Sequence, residues 1–133
     1  MPNGKRELTD DEKEAFLTDN RFGVLAFAGD KPYAIPVAYT YIKGTMVFAM
    51  LRAGRKMGYI KKNPNVCFNI WQMGTQSTTP SLKEQRYSSV ILEGELEEVT
   101  ATEWSYYELP TIPEGVDIVA LRLKVNTVGT MSA

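Results

Sequence analysis

The 133 residues include 44% hydrophobic side chains, enough for a core without disulfides, and one domain spanning residues 1–133 is expected. A net charge of −1, with no apolar run near the roughly 20 residues that span a bilayer, leaves no reason to expect a nucleic-acid or membrane partner. Histidine is absent and Cys67 is the only cysteine, which excludes a Ser-His-Asp triad, a histidine- or thiolate-ligated zinc and an internal disulfide.

The start, Met1-Pro2-Asn3-Gly4-Lys5-Arg6-Glu7, has no apolar core of a signal peptide, so a cytoplasmic protein is expected. Thr9 followed by Glu12, with acids crowding the first turn, predicts a helix that runs to Asp19-Asn20. The apolar period then changes to two. Residues 22–28 read as a strand apolar on both faces. Residues 33–42 read as the next strand, with Tyr33, Ile35, Val37, Tyr39 and Tyr41 on one face. Lys43-Gly44 predicts a tight hairpin into a third strand over residues 45–51.

Residues 55–63 predict a short helix with Gly54 before it and Pro64 after it. Residues 65–73 predict a strand, and the Ser/Thr-rich residues 74–83 a mobile loop. Residues 86–98 predict a long strand with Val90, Leu92 and Leu96 on one face and Ile91, Glu93, Glu95 and Glu97 on the other. Gly94 marks a bulge or bend in it. A helix is expected over residues 102–109. A last strand over residues 117–125 points Val119, Leu121, Leu123 and Val125 inward, and the tail beyond it is expected to be loose or to reach a partner chain. Six mostly antiparallel strands with helices at the corners predict a mainly β fold, a Greek-key barrel.

Charge is segregated along this chain. No Asp or Glu occurs between Lys31 and Lys83, a stretch with eight cations, five of them within residues 52–62. The segregation points to an anionic ligand for the middle segment, unless barrel strands simply carry few charges. Arg52-Ala53-Gly54-Arg55-Lys56 joins a strand end to a helix start, where free N–H groups and the helix dipole favour an anion. Arg55 can chelate a phosphate and Lys56 can add a point charge; without a ligand the segment is a solvated helix start. Pro36 within 33–39 removes a ladder donor, which makes that strand an edge or bulged, and the freed backbone could meet a planar heterocycle. Tyr87, Ser88 and Ser89 place hydroxyls at a strand start, either near a ligand or merely polar. Cys67 reads as a buried thiol, Trp71 and Trp104 as packing residues, and no metal site is expected.

Together these segments resemble the pyridoxamine-5′-phosphate-oxidase-related flavoproteins, and among them the nitroimidazole-resistance (Nim-like) branch. The resemblance runs from about Leu8 to Trp104. It rests on Gly23-Val24-Leu25-Ala26, on Pro32-Tyr33-Ala34-Ile35-Pro36-Val37, and on Gly54-Arg55-Lys56 followed by Ile60 and Asn63-Pro64-Asn65-Val66-Cys67-Phe68. Tyr87-Ser88-Ser89-Val90 and Gly94 complete it. It implies a split β-barrel homodimer with FMN at the interface and a small-molecule substrate or electron donor. Arg55 and Lys56 would hold the FMN phosphate. Pro36, Val37, Ala38 and Tyr39 would line the isoalloxazine, and Ala49, Met50 and Leu51 would run beside the ribityl chain. Tyr87, Ser88 and Ser89 would come from the second chain. Nim-like members commonly carry a histidine after the aromatic of the third strand, whereas here Phe48 is followed by Ala49. The implied function is an FMN-dependent oxidoreductase, against a non-catalytic FMN carrier or electron-transfer module, or a relative holding a deazaflavin coenzyme or haem.

Overall fold

A computed structural model describes residues 4–133, so the first three residues of the polar start lie outside the described residues. Helix α1 (Asp10–Asp19) begins at a capping box: the Glu12 N–H donates to the Thr9 hydroxyl, and the Thr9 N–H donates to the Glu12 carboxylate. Phe16 and Leu17 anchor the helix in the core. Glu12 is buried as well, because its carboxylate does more than cap. It accepts from both terminal nitrogens of Arg6 at 2.8 and 2.9 Å and from the Ser81 hydroxyl, tying three chain segments together.

The Arg6 hydrogen bond holds the Glu12 carboxyl at about 2, below an ordinary value of 4.5. Because the folded value is the lower one, the stabilisation is complete above pH 4.5 and is lost as pH falls towards 2. Glu12→Gln should therefore cost about 2 kcal/mol near neutrality, allowing for screening at the more exposed Arg6 end. Urea denaturation at pH 7 and pH 3 should show the variant's deficit shrinking at the lower pH. A deficit equal at both would show that the charge contributes nothing.

Seven strands follow: β1 (Phe22–Phe27), β2 (Tyr33–Ala38), β3 (Thr40–Ile42), β4 (Thr45–Leu51), β5 (Asn65–Met73), β6 (Tyr87–Glu98) and β7 (Ile118–Ser132). All pairings are antiparallel, and the order across the sheet is β2-β1-β5-β6-β7-β4-β3. The sheet curls so that β2 meets β4 across its open seam, a split barrel. The strand expected over residues 33–42 is two strands, which makes the count seven rather than six. Tyr39 is the break. Its N–H still follows the β1–β2 register onto the Arg21 carbonyl, but its ring is buried edge-on against Phe68 and its hydroxyl donates to Leu17 O at 2.8 Å. The chain thus crosses from one end of the sheet order to the other in a single residue. Lys43 and Gly44, with φ of 52° and 75°, make the tight turn from β3 to β4.

Leu25, Phe48, Phe68, Ile70, Val90 and Val119 fill the barrel with side chains almost wholly removed from water. A smaller cluster of Val47, Val99, Tyr107 and Ala120 lies on the other face of β4, so β4 is apolar on both faces. The bulge expected at Gly94 is present, as a register shift between Glu93 and Gly94. The Lys124 carbonyl approaches so closely there that a Cβ on Gly94 would lie 2.0 Å from its oxygen.

Four further expectations are corrected. Residues 74–83 are not a mobile loop: they form a 3-10 turn (Gly74–Gln76) and the short helix α3 (Pro80–Lys83), pinned by buried Leu82 and by Ser81 on Glu12. Helix α4 spans only Ala101–Trp104 after its Thr100 cap, and the chain turns at Glu108 with φ of 54°. The tail is not loose. β7 pairs with β6 as far as Ser132, and the Ala133 carbonyl accepts from the Arg86 and Tyr87 N–H groups. Beside the bulge Val125 is exposed rather than inward. No helix among the described residues is long and apolar enough to cross a membrane.

Candidate functional site

Helix α2 (Arg55–Lys62) leaves the end of β4 through Gly54, whose φ of 94° favours glycine. Of the cations clustered there, Arg52 is already spent. It pairs with Glu98 at 2.5 Å and Asp117 at 3.3 Å, acids brought in from outside the basic segment. Arg55 and Lys56 have no carboxylate within 4 Å among the described residues. The Lys56 ammonium donates to the Ala53 carbonyl at 2.8 Å, which leaves further donors free. The Arg55 guanidinium lies over the Tyr33 ring at 4.3 Å and 5.5 Å from the Tyr59 ring, and donates to the Tyr59 hydroxyl. Apart from the donor to Tyr59, its N–H groups have no partner among the described residues.

β2 lies at one end of the sheet order, so Pro36 sits on an edge strand, as its missing donor requires. Ala34, Pro36 and Ala38 are exposed, and Val37 is half-buried against the core. Ala49 and Leu51 are exposed on β4, with Met50 half-buried between them. Arg55 touches β2 at Tyr33, and β2 meets β4 at the seam. These three elements therefore share one side of the barrel. The ring of Tyr39 does not join them. It is a core residue, and burial pushes its phenol well above the usual range.

Tyr87, Ser88 and Ser89 lie elsewhere. They pair with Met73, Gln72 and Trp71, beyond the Phe22 end of β1, whereas Arg55 lies near its Phe27 end. Ser88 faces inward, sharing a hydrogen bond with Ser132 at 2.9 Å, and offers nothing to a ligand. Tyr87 stacks on Trp71 at 5.8 Å, and Ser89 is half-buried opposite Trp71 and Met131. They border an exposed apolar surface formed by Phe22, Val24, Trp71, Met73 and Ile91. Val24 and Ile91 flank Asn69 in register, so this is one continuous outer face of β1, β5 and β6.

A cleft of about 490 Å³ opens beside Arg55, between α2 and the turn at residues 28–31. Lys31, Tyr59 and Lys62 line it, and sequence reasoning missed all three. The spacing of Arg55, Tyr59 and Lys62 along one helix face was a signal for two of them. Lys31 arrives only through the β1–β2 turn. Cys67 is half-buried on β5, and burial raises its thiol, which makes it a poor nucleophile.

Residues 9–124 match the family model described as pyridoxamine 5′-phosphate oxidase. No curated protein matches the chain. Among solved structures it resembles an FAD-binding protein from Mesorhizobium loti, with 24% identity over 97% of this chain and 98% of that one and a TM-score of 0.72. It also resembles an FAD-binding protein from Mycobacterium smegmatis, with 18% identity over 94% and 97% of the two chains and a TM-score of 0.70. A third similar structure, from Bacteroides thetaiotaomicron, is described as a candidate 5-nitroimidazole antibiotic resistance protein. It has 15% identity over 98% and 89% of the chains and a TM-score of 0.67.

Proposed function

Because the chain belongs to the pyridoxamine 5′-phosphate oxidase family, we propose that it is an FMN-binding flavoprotein that works as an oxidoreductase in the form of a homodimer. Flavin binding by proteins of the same fold supports the choice of cofactor class. The observation that carries the reading is the pair of cations without a carboxylate, Arg55 and Lys56, at the start of α2. There Arg55, over the Tyr33 ring, would hold the phosphate through its guanidinium N–H groups, and Lys56 would add charge. Pro36 and Ala38, exposed on β2, would flank the isoalloxazine, and Ala49 and Leu51, exposed on β4, would border the ribityl chain. When bound, the flavin supplies hydride or electron transfer between a reduced donor and a small substrate or oxygen.

Tyr87 and Ser89 are too far around the sheet to reach that place within one chain. A two-fold partner seated on the apolar face of β1, β5 and β6 brings its own copies across and removes Phe22, Val24, Trp71 and Ile91 from water. The lone thiol suits a reducing compartment, the cytoplasm.

The purified protein should be yellow, release FMN on denaturation and scatter light as a dimer. Its bound flavin should be reduced by NADH or NADPH; a flavin that is not would identify a carrier instead. Ile91→Glu, placing a charge within the apolar face, should yield monomer and shed flavin. Colourless protein that takes up no added FMN, or a wild-type monomer with FMN bound, would overturn the reading.

A further inference from the structure

The geometry points to Tyr59 as a positioning residue, which holds the Arg55 guanidinium ready for the flavin phosphate without neutralising it. The inference rests on the flavin reading above, because that reading places the phosphate at Arg55. Arg55 is exposed, and a long side chain on a surface helix ordinarily samples many rotamers. Here the guanidinium is held against two aromatic rings and one phenol oxygen.

Other arginines of this chain are held by acids. Arg6 pairs with Glu12, Arg52 with Glu98 and Asp117, and Arg122 with Glu97 and Glu103. A carboxylate orients a guanidinium and cancels its charge in the same contact. A phenol oxygen accepts an N–H bond and carries no charge, so Arg55 is oriented and stays a full cation.

Tyr59 follows Arg55 by four residues on α2, which puts both side chains on one helix face. Its hydroxyl accepts from Arg55 at 3.2 Å and donates to the Lys31 carbonyl at 3.4 Å. With the O–H aimed at the backbone of the β1–β2 turn, the oxygen lone pairs are left for the guanidinium. The ring is fixed as well. It packs 4.9 Å from Tyr33 and 6.2 Å from Phe27, centroid to centroid. Gly29 closes on it so tightly that a Cβ there would lie 2.7 Å from the ring. Tyr33, stacked on Phe27 at 5.3 Å, lies under the guanidinium and completes the wall. Arg55 thus rests on a surface tied to β1, β2 and the turn between them. A side chain already held near its bound position loses less freedom when the phosphate arrives, and that difference appears as affinity.

The test is a cycle between Tyr59→Phe and Arg55→Ala. Tyr59→Phe removes the hydroxyl and keeps the ring, so its urea midpoint should match wild type. FMN and riboflavin are titrated into the apoproteins of wild type, both single variants and the double variant. Tyr59→Phe should weaken FMN binding roughly three- to tenfold and leave riboflavin within about twofold of wild type. With Arg55→Ala already present, Tyr59→Phe should cost FMN nothing further, because the group that it positions is gone. Unchanged FMN affinity in Tyr59→Phe overturns the role of the hydroxyl and leaves the flavin reading standing. Equal losses for FMN and riboflavin overturn it by assigning Tyr59 to packing. A loss that persists beside Arg55→Ala overturns it by showing that Tyr59 acts independently of the guanidinium. Wild-type protein that binds no FMN, or Arg55→Ala protein that binds FMN as tightly as wild type, removes the phosphate from Arg55 and ends this inference together with the reading beneath it.

Discussion

Arg55→Ala is expected to weaken FMN binding by about 2–4 kcal/mol, roughly 30- to 1,000-fold, and to leave riboflavin binding nearly unchanged. The asymmetry follows from the geometry. The guanidinium lies 4.3 Å over Tyr33 with no carboxylate partner among the described residues, so the N–H groups not used by Tyr59 are free to meet a phosphate. Riboflavin lacks the phosphate and has nothing to lose. The two ligands and two proteins form a cycle in which one change sits on the ligand, and the difference isolates the Arg55–phosphate term. Arg55→Lys should recover only part of the loss, since an ammonium keeps the charge but not the fork. Lys56→Ala should cost less than Arg55→Ala, because one of its donors already serves the Ala53 carbonyl. Fluorescence quenching titrations read all of these. Equal losses for FMN and riboflavin would mean that Arg55 acts by holding Tyr33 and Tyr59 in place, and the phosphate assignment would fall.

What could be read from the residues alone was local. Thr9 and Glu12 announced the cap of α1, alternation announced the strands, Pro36 the edge, and Gly94 the bulge. Each depends on a spacing of a few residues. What escaped depends on partners far along the chain. The break at Tyr39 comes with its anchoring on Leu17 and Phe68, and nothing in residues 33–42 interrupts the period of two. The order of residues 74–83 comes from Leu82 in the core and Ser81 on Glu12, 69 positions away. The pairing of the tail comes from β6. The candidate site divides in the same way. Arg55 and Lys56 stood out as a run of cations at a helix start. The removal of Arg52 by Glu98 and Asp117, the inward turn of Ser88, and the arrival of Lys31 beside Lys62 are all consequences of strand order.

Gly74→Ala should destabilise the fold by about 3 kcal/mol or more, one of the largest losses available to a single methyl group. Gly74 follows β5 where the chain doubles back towards β6, its N–H donating to the Arg86 carbonyl at 2.9 Å. A Cβ there would lie 1.7 Å from the Gln85 carbonyl oxygen, 2.8 Å from its carbon and 3.0 Å from the Leu82 oxygen. All three are backbone atoms, so no side chain can swing aside. Relief requires moving the turn after α3, which would pull Leu82 from the core and Ser81 from Glu12. The cost is therefore steric and is paid in the folded state alone. Gly58→Ala supplies the opposite control. Its Cβ meets nothing within 4 Å, it lies inside α2, and replacing a helical glycine should raise stability by up to about 1 kcal/mol. Urea denaturation of the two apoprotein variants should move their midpoints to opposite sides of wild type. Gly74→Ala with a wild-type midpoint would mean that residues 74–85 are loosely held after all, and that the ordered segment joining β5 to β6 is wrong.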